Sequence, residues 1–344
     1  MHEIEYSVKL TQSLLACDLT TDQAEKIAGE KMLWFLFEKG NGPQNGFWNF
    51  NKKLEDGANL IGITKEKYRR AALRQHPLFY LSPHNVNANI ERAAKFLGIT
   101  KEKYIKAALK QPVLFTMDPD TVNANIEAAA KLFGLSKKTY IEKAALKQPT
   151  LFTMPAQTAY ANNTRAAEYL GLSRGDYIKA SLKNPALFYQ NPERINNNVK
   201  KTAALLGISR ERYIEAALKK PHLFSMSPKT LHTHYMALGV AHENGSIVSN
   251  NILDDILKCP ASLTYAEKNT MLRTFHAAVH EKRLSLGCFF KQKNKKTIED
   301  EVITYLIKEF EAGATEAADH AYYLHAQGIL SHLPAAFEMT AVPA

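Results

Sequence analysis

Apolar residues along this chain recur with a helical period, and the whole pattern restarts every 36 or 37 residues. Self-similar segments open at Gly62, Gly98, Gly134, Gly171 and Gly207, spaced 36, 36, 37 and 36 residues apart. The longer spacing comes from one extra residue in the first half of the third segment. In that first half Tyr68, Tyr104, Tyr140, Tyr177 and Tyr213 recur, followed by Leu73, Leu109, Leu146, Leu182 and Leu218, with alanines between. At 3.6 residues per turn these fall in one sector, which predicts an amphipathic helix. The second half keeps the same kind of spacing, as in Val86, Ile90, Ala93 and Leu97, and predicts a second helix.

Punctuation between the stripes agrees with two helices per repeat. Thr64, Thr100, Ser136, Ser173 and Ser209 stand where a hydroxyl accepts a free N–H at the start of the first helix. Pro112, Pro149, Pro185 and Pro221, with Pro77 shifted by one, end that helix because proline has no N–H to donate. A Leu-Phe pair follows, ending at Phe79, Phe115, Phe152, Phe188 and Phe224, and its brevity predicts a single 3₁₀ turn. Ser82-Pro83, Asp118-Pro119, Asn191-Pro192 and Ser227-Pro228 then start the second helix, and the next glycine closes it. A partial unit, FNKKLEDGANL, precedes Gly62, and a decayed one surrounds Pro260. A single repeat cannot bury both of its stripes, whereas stacked neighbours can. The expected fold is therefore all-α: an α-solenoid of about six 36-residue helix–3₁₀ turn–helix repeats. Residues 1–46 are expected to form an N-terminal helical cap, and 47–242 the five regular repeats with the partial leading unit. Residues 243–310 are expected to hold diverged repeats, and 311–344 a C-terminal helical cap or tail.

A helix, then Lys-x-Pro-x-Leu-Phe, then a helix opened by Ser-Pro and closed by Leu-Gly-Ile-Ser resembles the repeat of the mitochondrial transcription termination factor (mTERF) family. The likeness covers roughly residues 47–310, including LRTFHAAVHEKRLSLG in its diverged part. The resemblance implies two helices and a 3₁₀ turn per repeat, stacked into a curved solenoid. It also implies that duplex DNA or structured RNA is held along a basic concave path, with a role in transcription, replication or ribosome assembly. The repeats here are more uniform than that family's and slightly longer in period.

Charge narrows the partners. Residues 62–242 hold 28 Lys and Arg against 12 Asp and Glu, a net +16, while 1–61 and 243–344 each carry −3. A basic centre between mildly acidic ends suits a polyanion. Cys17, Cys259 and Cys288 are far apart and form no CxxC pair, so neither a disulfide framework nor a zinc ribbon is expected. The apolar runs fall short of the roughly 20 residues that span a bilayer, so no membrane is expected. The opening MHEIEYSVKL has neither a signal-peptide core nor the Arg-rich, acid-poor character of a transit peptide. The expectation is an intracellular monomer, in the cytoplasm or nucleoid, with no cofactor.

The chemistry sits in columns. Arg74, Lys110, Lys147, Lys183 and Lys219 recur late in the first helix, with Lys258 continuing them, and Arg70, Lys106, Lys143 and Lys179 lie one turn earlier, interrupted by Glu215. Both rows point away from the tyrosine stripe, and aligned by stacking they would neutralise successive phosphates. The competing reading is that lysines near a helix C-terminus simply complement its dipole. Lys65, Lys101, Lys137, Arg174 and Arg210 form a further column at helix N-termini, where the dipole disfavours cations. Asn89, Asn125, Asn162 and Asn198, with His234 in the fifth place, edge the second helix. They suit either adenine readout or a structural ladder to a neighbouring repeat's backbone. His276 and His280 have the i, i+4 spacing of metal ligands, but HExxH is absent and no metal is expected. The lysine run Lys291, Lys293, Lys295 and Lys296 reads as a solvated loop. No phosphate loop, nucleophile elbow or carboxylate pair points to catalysis. The expected partner is a nucleic acid, duplex DNA or structured RNA, with an acidic protein as the alternative.

Overall fold

In the computed structural model, residues 2–29, 49–291, 293–314, 316–332 and 337 are described. Residues 30–46 of the expected N-terminal cap, and the tail beyond residue 332 other than Phe337, lie outside them. The described chain is all-α: helices follow one another in sequence, and the one β contact is an isolated bridge between Ile247 and Leu284. It divides into two compact units. One comprises Met1–Thr164 with Ser181–Tyr189, and the other Arg165–Ala180 with Gln190–Ala344.

The repeat grammar forms as the residues dictate. Leading helices span Lys65–Ala72, Lys101–Lys110, Arg174–Lys183 and Arg210–Lys219. Each cap hydroxyl accepts the N–H three residues on, from Thr64 to Lys67, Thr100 to Lys103, Ser136 to Thr139, Ser173 to Asp176 and Ser209 to Arg212. Turns of 3₁₀ helix follow at His76–Phe79, Pro112–Phe115, Pro185–Phe188 and Pro221–Phe224. Trailing helices span Pro83–Leu97, Pro119–Leu132, Ala156–Leu170, Pro192–Leu205 and Pro228–Glu243. Gly62, Gly98, Gly134, Gly171 and Gly207 have φ between 64° and 73°, a left-handed turn that glycine enters without strain.

Two local departures have physical causes. The extra residue of the third repeat is absorbed as one π turn, Ile141–Ala145, in which the Leu146 N–H donates to the Ile141 carbonyl at 2.9 Å. This keeps both Tyr140 and Lys147 in register with their counterparts. In the same repeat the expected 3₁₀ turn is a short α turn, Thr150–Thr153, closed by Met154 N–H on the Thr150 carbonyl.

Packing follows one rule. The tyrosine of each of the first four regular repeats meets the phenylalanine of the next. In the first unit Tyr68 lies 6.1 Å from Phe115, Tyr104 6.4 Å from Phe152, and Tyr140 5.7 Å from Phe188, centroid to centroid. In the second, Tyr177 lies 6.2 Å from Phe224. These rings are all fully buried. The Tyr104 hydroxyl also donates to the Leu114 carbonyl at 2.9 Å, and Tyr213 to Leu223 at 3.1 Å, so each fixes its own repeat's turn. Burial pushes these phenols well above their ordinary pKa, so they remain protonated donors. Beyond the regular repeats, Ile252–Lys258 and the 3₁₀ turn Pro260–Thr264 repeat the pattern once more. Helices Glu267–Val279, Lys295–Glu311 and Glu316–Ala326 then enclose Leu272, Ile298, Val302, Leu306, Ala321 and Leu324.

Phe152→Ala should cost about 3–5 kcal/mol by leaving the Tyr104 ring without its partner, whereas Tyr104→Phe should cost about 1 kcal/mol by orphaning the Leu114 carbonyl. Guanidinium unfolding of the two variants checks both values and their order.

Candidate nucleic-acid interface

Helical phase turns the lysine and arginine rows outward. With the tyrosine and alanines buried, residues half a turn away must face solvent, and all ten cations of the two rows are exposed. The first unit carries Arg70, Arg74, Lys106, Lys110, Lys143, Lys147 and Lys183; the second carries Lys179, Lys219 and Lys258. Lys110, Lys183, Lys219 and Lys258 are the last residues of their helices. Arg74 and Lys147 do not lie in the last helical turn, as the sequence suggested. The helix of repeat 1 stops at Ala72 and the π turn of repeat 3 at Ala145, so both cations sit on the turn that follows.

Contacts show that neighbouring row members adjoin. The Arg74 guanidinium donates to the Lys110 carbonyl at 3.0 Å, and in the second unit Lys219 Nζ donates to the Leu257 carbonyl at 3.5 Å, next to Lys258. Some members are partly neutralised within their own helix. Arg70 pairs with Glu66 at 2.7 Å, Lys179 with Asp176 at 3.1 Å, and Lys258 with Asp255 at 3.4 Å. These three cations remain 75–77% exposed, so the pairs hold them weakly. Among the described residues, the side chains of Lys106, Lys110, Lys143, Lys147 and Lys183 form no ion pair. Between the leading helices of repeats 1 and 2 runs an open groove of about 590 Å³, with Leu73 and Leu109 in its lining and Lys67, Arg70 and Arg74 beside them.

The other columns have partners inside the protein. Lys101 Nζ bonds the Leu60 carbonyl at 3.4 Å and Glu91 at 2.9 Å. Lys137 Nζ bonds the Phe96 carbonyl at 2.8 Å, Asn123 at 2.6 Å and Glu127 at 2.8 Å. Arg210 reaches the Tyr169 carbonyl and, at 3.1 Å, Asn196. Each carbonyl belongs to the next-to-last residue of a trailing helix 41 residues earlier, at the negative end of its dipole. Hydrogen bonds from Lys101 and Lys137 hold the Glu91 and Glu127 carboxyls below their ordinary pKa. Three of the five cations at helix N-termini, Lys101, Lys137 and Arg210, are thus clasps that each join their own helix to two trailing helices, a role the dipole argument alone could not reveal.

Two members of the asparagine column behave in the same way. Asn125 Nδ2 donates to the Phe152 carbonyl at 3.5 Å, and Asn162 to the Tyr189 carbonyl at 3.3 Å. In the second unit His234 Nδ1 donates to the Leu263 carbonyl at 2.7 Å, and Lys53, in the leading partial unit, bonds the Tyr80 carbonyl at 3.1 Å. Asn89 and Asn198 occupy the same half-buried place. An amide engaged with a neighbouring repeat's turn is not presented for reading a base.

Near the chain's end the structure joins His276 and His280 to a third residue that the sequence did not single out. Glu301, on the helix Lys295–Glu311, accepts from His276 Nε2 at 2.8 Å and pairs with Lys293. Lys293 and then His276 hold the Glu301 carboxyl down to about 2. Lys293 is therefore tied to a carboxylate, in contrast to the freely solvated loop lysine expected.

No protein-family model matches the chain, and no curated protein matches it. The fold itself defines the class, an α-helical repeat protein whose repeats present exposed cations. Among the described residues no helix is long and apolar enough to cross a membrane.

Lys137→Met should destabilise the chain by about 1.5–3 kcal/mol, the typical worth of a hydrogen bond from a charged group, while Lys147→Met should leave the unfolding midpoint unchanged. Paired denaturant titrations separate a clasp from an exposed row lysine in this way.

Proposed function

We propose that this protein holds a nucleic acid, duplex DNA or structured RNA, along its exposed cation rows and regulates transcription or gene expression by occupying its target. One observation carries the reading. The first unit presents five lysines in register, all exposed and free of ion pairs among the described residues. Keeping like charges near one another costs free energy, and a polyanion removes that cost while its bound counterions gain entropy on release. The cations that clasp the trailing helices, Lys101, Lys137 and Arg210, do not include any of these five lysines.

Ring placement favours backbone recognition. The repeat tyrosines and phenylalanines are buried against each other, so they are not available to stack on unpaired bases. Two of the four asparagines that would read adenine, Asn125 and Asn162, are engaged in the stack. Affinity on this reading comes from phosphate contacts, and target preference from duplex shape. The resemblance to mTERF repeats points to the same kind of partner.

Binding of labelled duplex DNA, duplex RNA and single strands across a salt series tests this directly. The wild-type protein should bind duplex with a steep negative log–log slope. Lys110→Gln, Lys147→Gln and Lys183→Gln combined should flatten that slope by roughly two to three units. Absence of binding at low salt, or an unchanged slope in the triple variant, rules the reading out.

A further inference from the structure

We propose that His276, His280 and Glu301 form a binding site for a divalent metal ion of the zinc class, independent of the cation rows. One ligand atom from each of the three residues lies within 4.8 Å of the other two. In a tetrahedral zinc site, bonds of about 2.0–2.1 Å place the ligand atoms roughly 3.3 Å apart. His276 and Glu301 are already closer than that, at 2.8 Å. His280 is the residue that must move inward, and it is exposed at the end of its helix. Its imidazole is inclined at 66° to that of His276 with centroids 4.6 Å apart, so the two rings adjoin.

The ligand atom of His276 is Nε2, the nitrogen that faces Glu301, in a residue only 1% exposed. The donor set discriminates among metals. Two imidazoles and a carboxylate suit zinc and its first-row neighbours, not calcium or magnesium, which prefer oxygen-only shells. Three protein ligands leave a fourth position open to solvent.

The ligands come from different elements of the second unit. His276 lies on helix Glu267–Val279, His280 caps it, and Glu301 lies on Lys295–Glu311. A bound ion would cross-link the two helices that pack on Leu272 and Val302. Lys293 is the natural competitor, because its ammonium occupies the Glu301 carboxylate that the ion must share. This gives the site a signature that a purely structural ion pair lacks: removing the lysine should strengthen metal binding.

The full chain, stripped with a chelator, would be titrated with Zn²⁺ against a chromophoric competitor. Comparison proteins would carry His280→Ala, Glu301→Gln and Lys293→Gln, each with circular dichroism to confirm an intact fold. The expected result is one zinc ion taken up by the wild type, with affinity weakened about tenfold or more in His280→Ala and Glu301→Gln and strengthened in Lys293→Gln. His280 is exposed, so its variant tests the site even if Glu301→Gln unfolds. Wild-type affinity no greater than that of His280→Ala would overturn the proposal, since the remaining histidines would then account for all the binding. Weaker binding in Lys293→Gln would overturn the assignment of Glu301 as a ligand.

Discussion

Everything outward-facing in this protein depends on the ring contact between one repeat's tyrosine and the next repeat's phenylalanine. Tyr68 on Phe115, Tyr104 on Phe152 and Tyr140 on Phe188 in the first unit, and Tyr177 on Phe224 in the second, are the same contact made at each step. Each pair adds about 0.5–1.5 kcal/mol beyond the apolar area it removes from water. Its larger consequence is geometric. A ring fixed on the next repeat sets the rotation of its helix, and the rotation decides which residues face solvent. The hydroxyls of Tyr104 and Tyr213 extend the constraint to the Leu-Phe turn of their own repeat.

The polar clasps complete what the rings begin. A trailing helix ends with carbonyls that its own chain cannot satisfy. Lys101, Lys137 and Arg210 reach those ends from a later repeat and anchor on a carboxylate or amide in between. Asn125, Asn162 and His234 do the same for the Leu-Phe turns. Of the outward rows, Arg74 and Lys219 also reach a carbonyl of the next repeat, whereas Lys106, Lys110, Lys143, Lys147 and Lys183 form no ion pair among the described residues. That division of labour among columns of the same charge is the physical ground for assigning a partner to one column and structure to the other.

The repeat, its caps, its prolines and the alternation of stripes were legible in the sequence because they are local: each depends on residues within one or two turns. The helix boundaries of Arg74 and Lys147 were less so, because Pro77 is displaced by one residue and an extra residue in repeat 3 had several ways of being absorbed. Its resolution as a π turn follows from the need to keep Tyr140 and Lys147 both in place. The clasps were visible only as an anomaly, cations where the helix dipole disfavours them. Their partners lie 41 residues back, a distance set by stacking and not by any helical period. Glu301 was missed for the same reason, since nothing within a turn of His276 or His280 points to a helix 25 residues on. The asparagine column left two readings open, and the carbonyls that Asn125 and Asn162 reach lie 27 residues on, beyond any local pattern.

The most direct test of the phosphate-track assignment is lysine-by-lysine chemical labelling, read by mass spectrometry, with and without saturating duplex. Lys106, Lys110, Lys143, Lys147 and Lys183 should react readily in the free protein and become protected together when duplex is bound. Lys101 and Lys137, engaged in the stack, should react slowly in both states. If duplex protects none of the five, or protects exposed lysines elsewhere in their place, the rows are a solvated surface and the assignment is wrong.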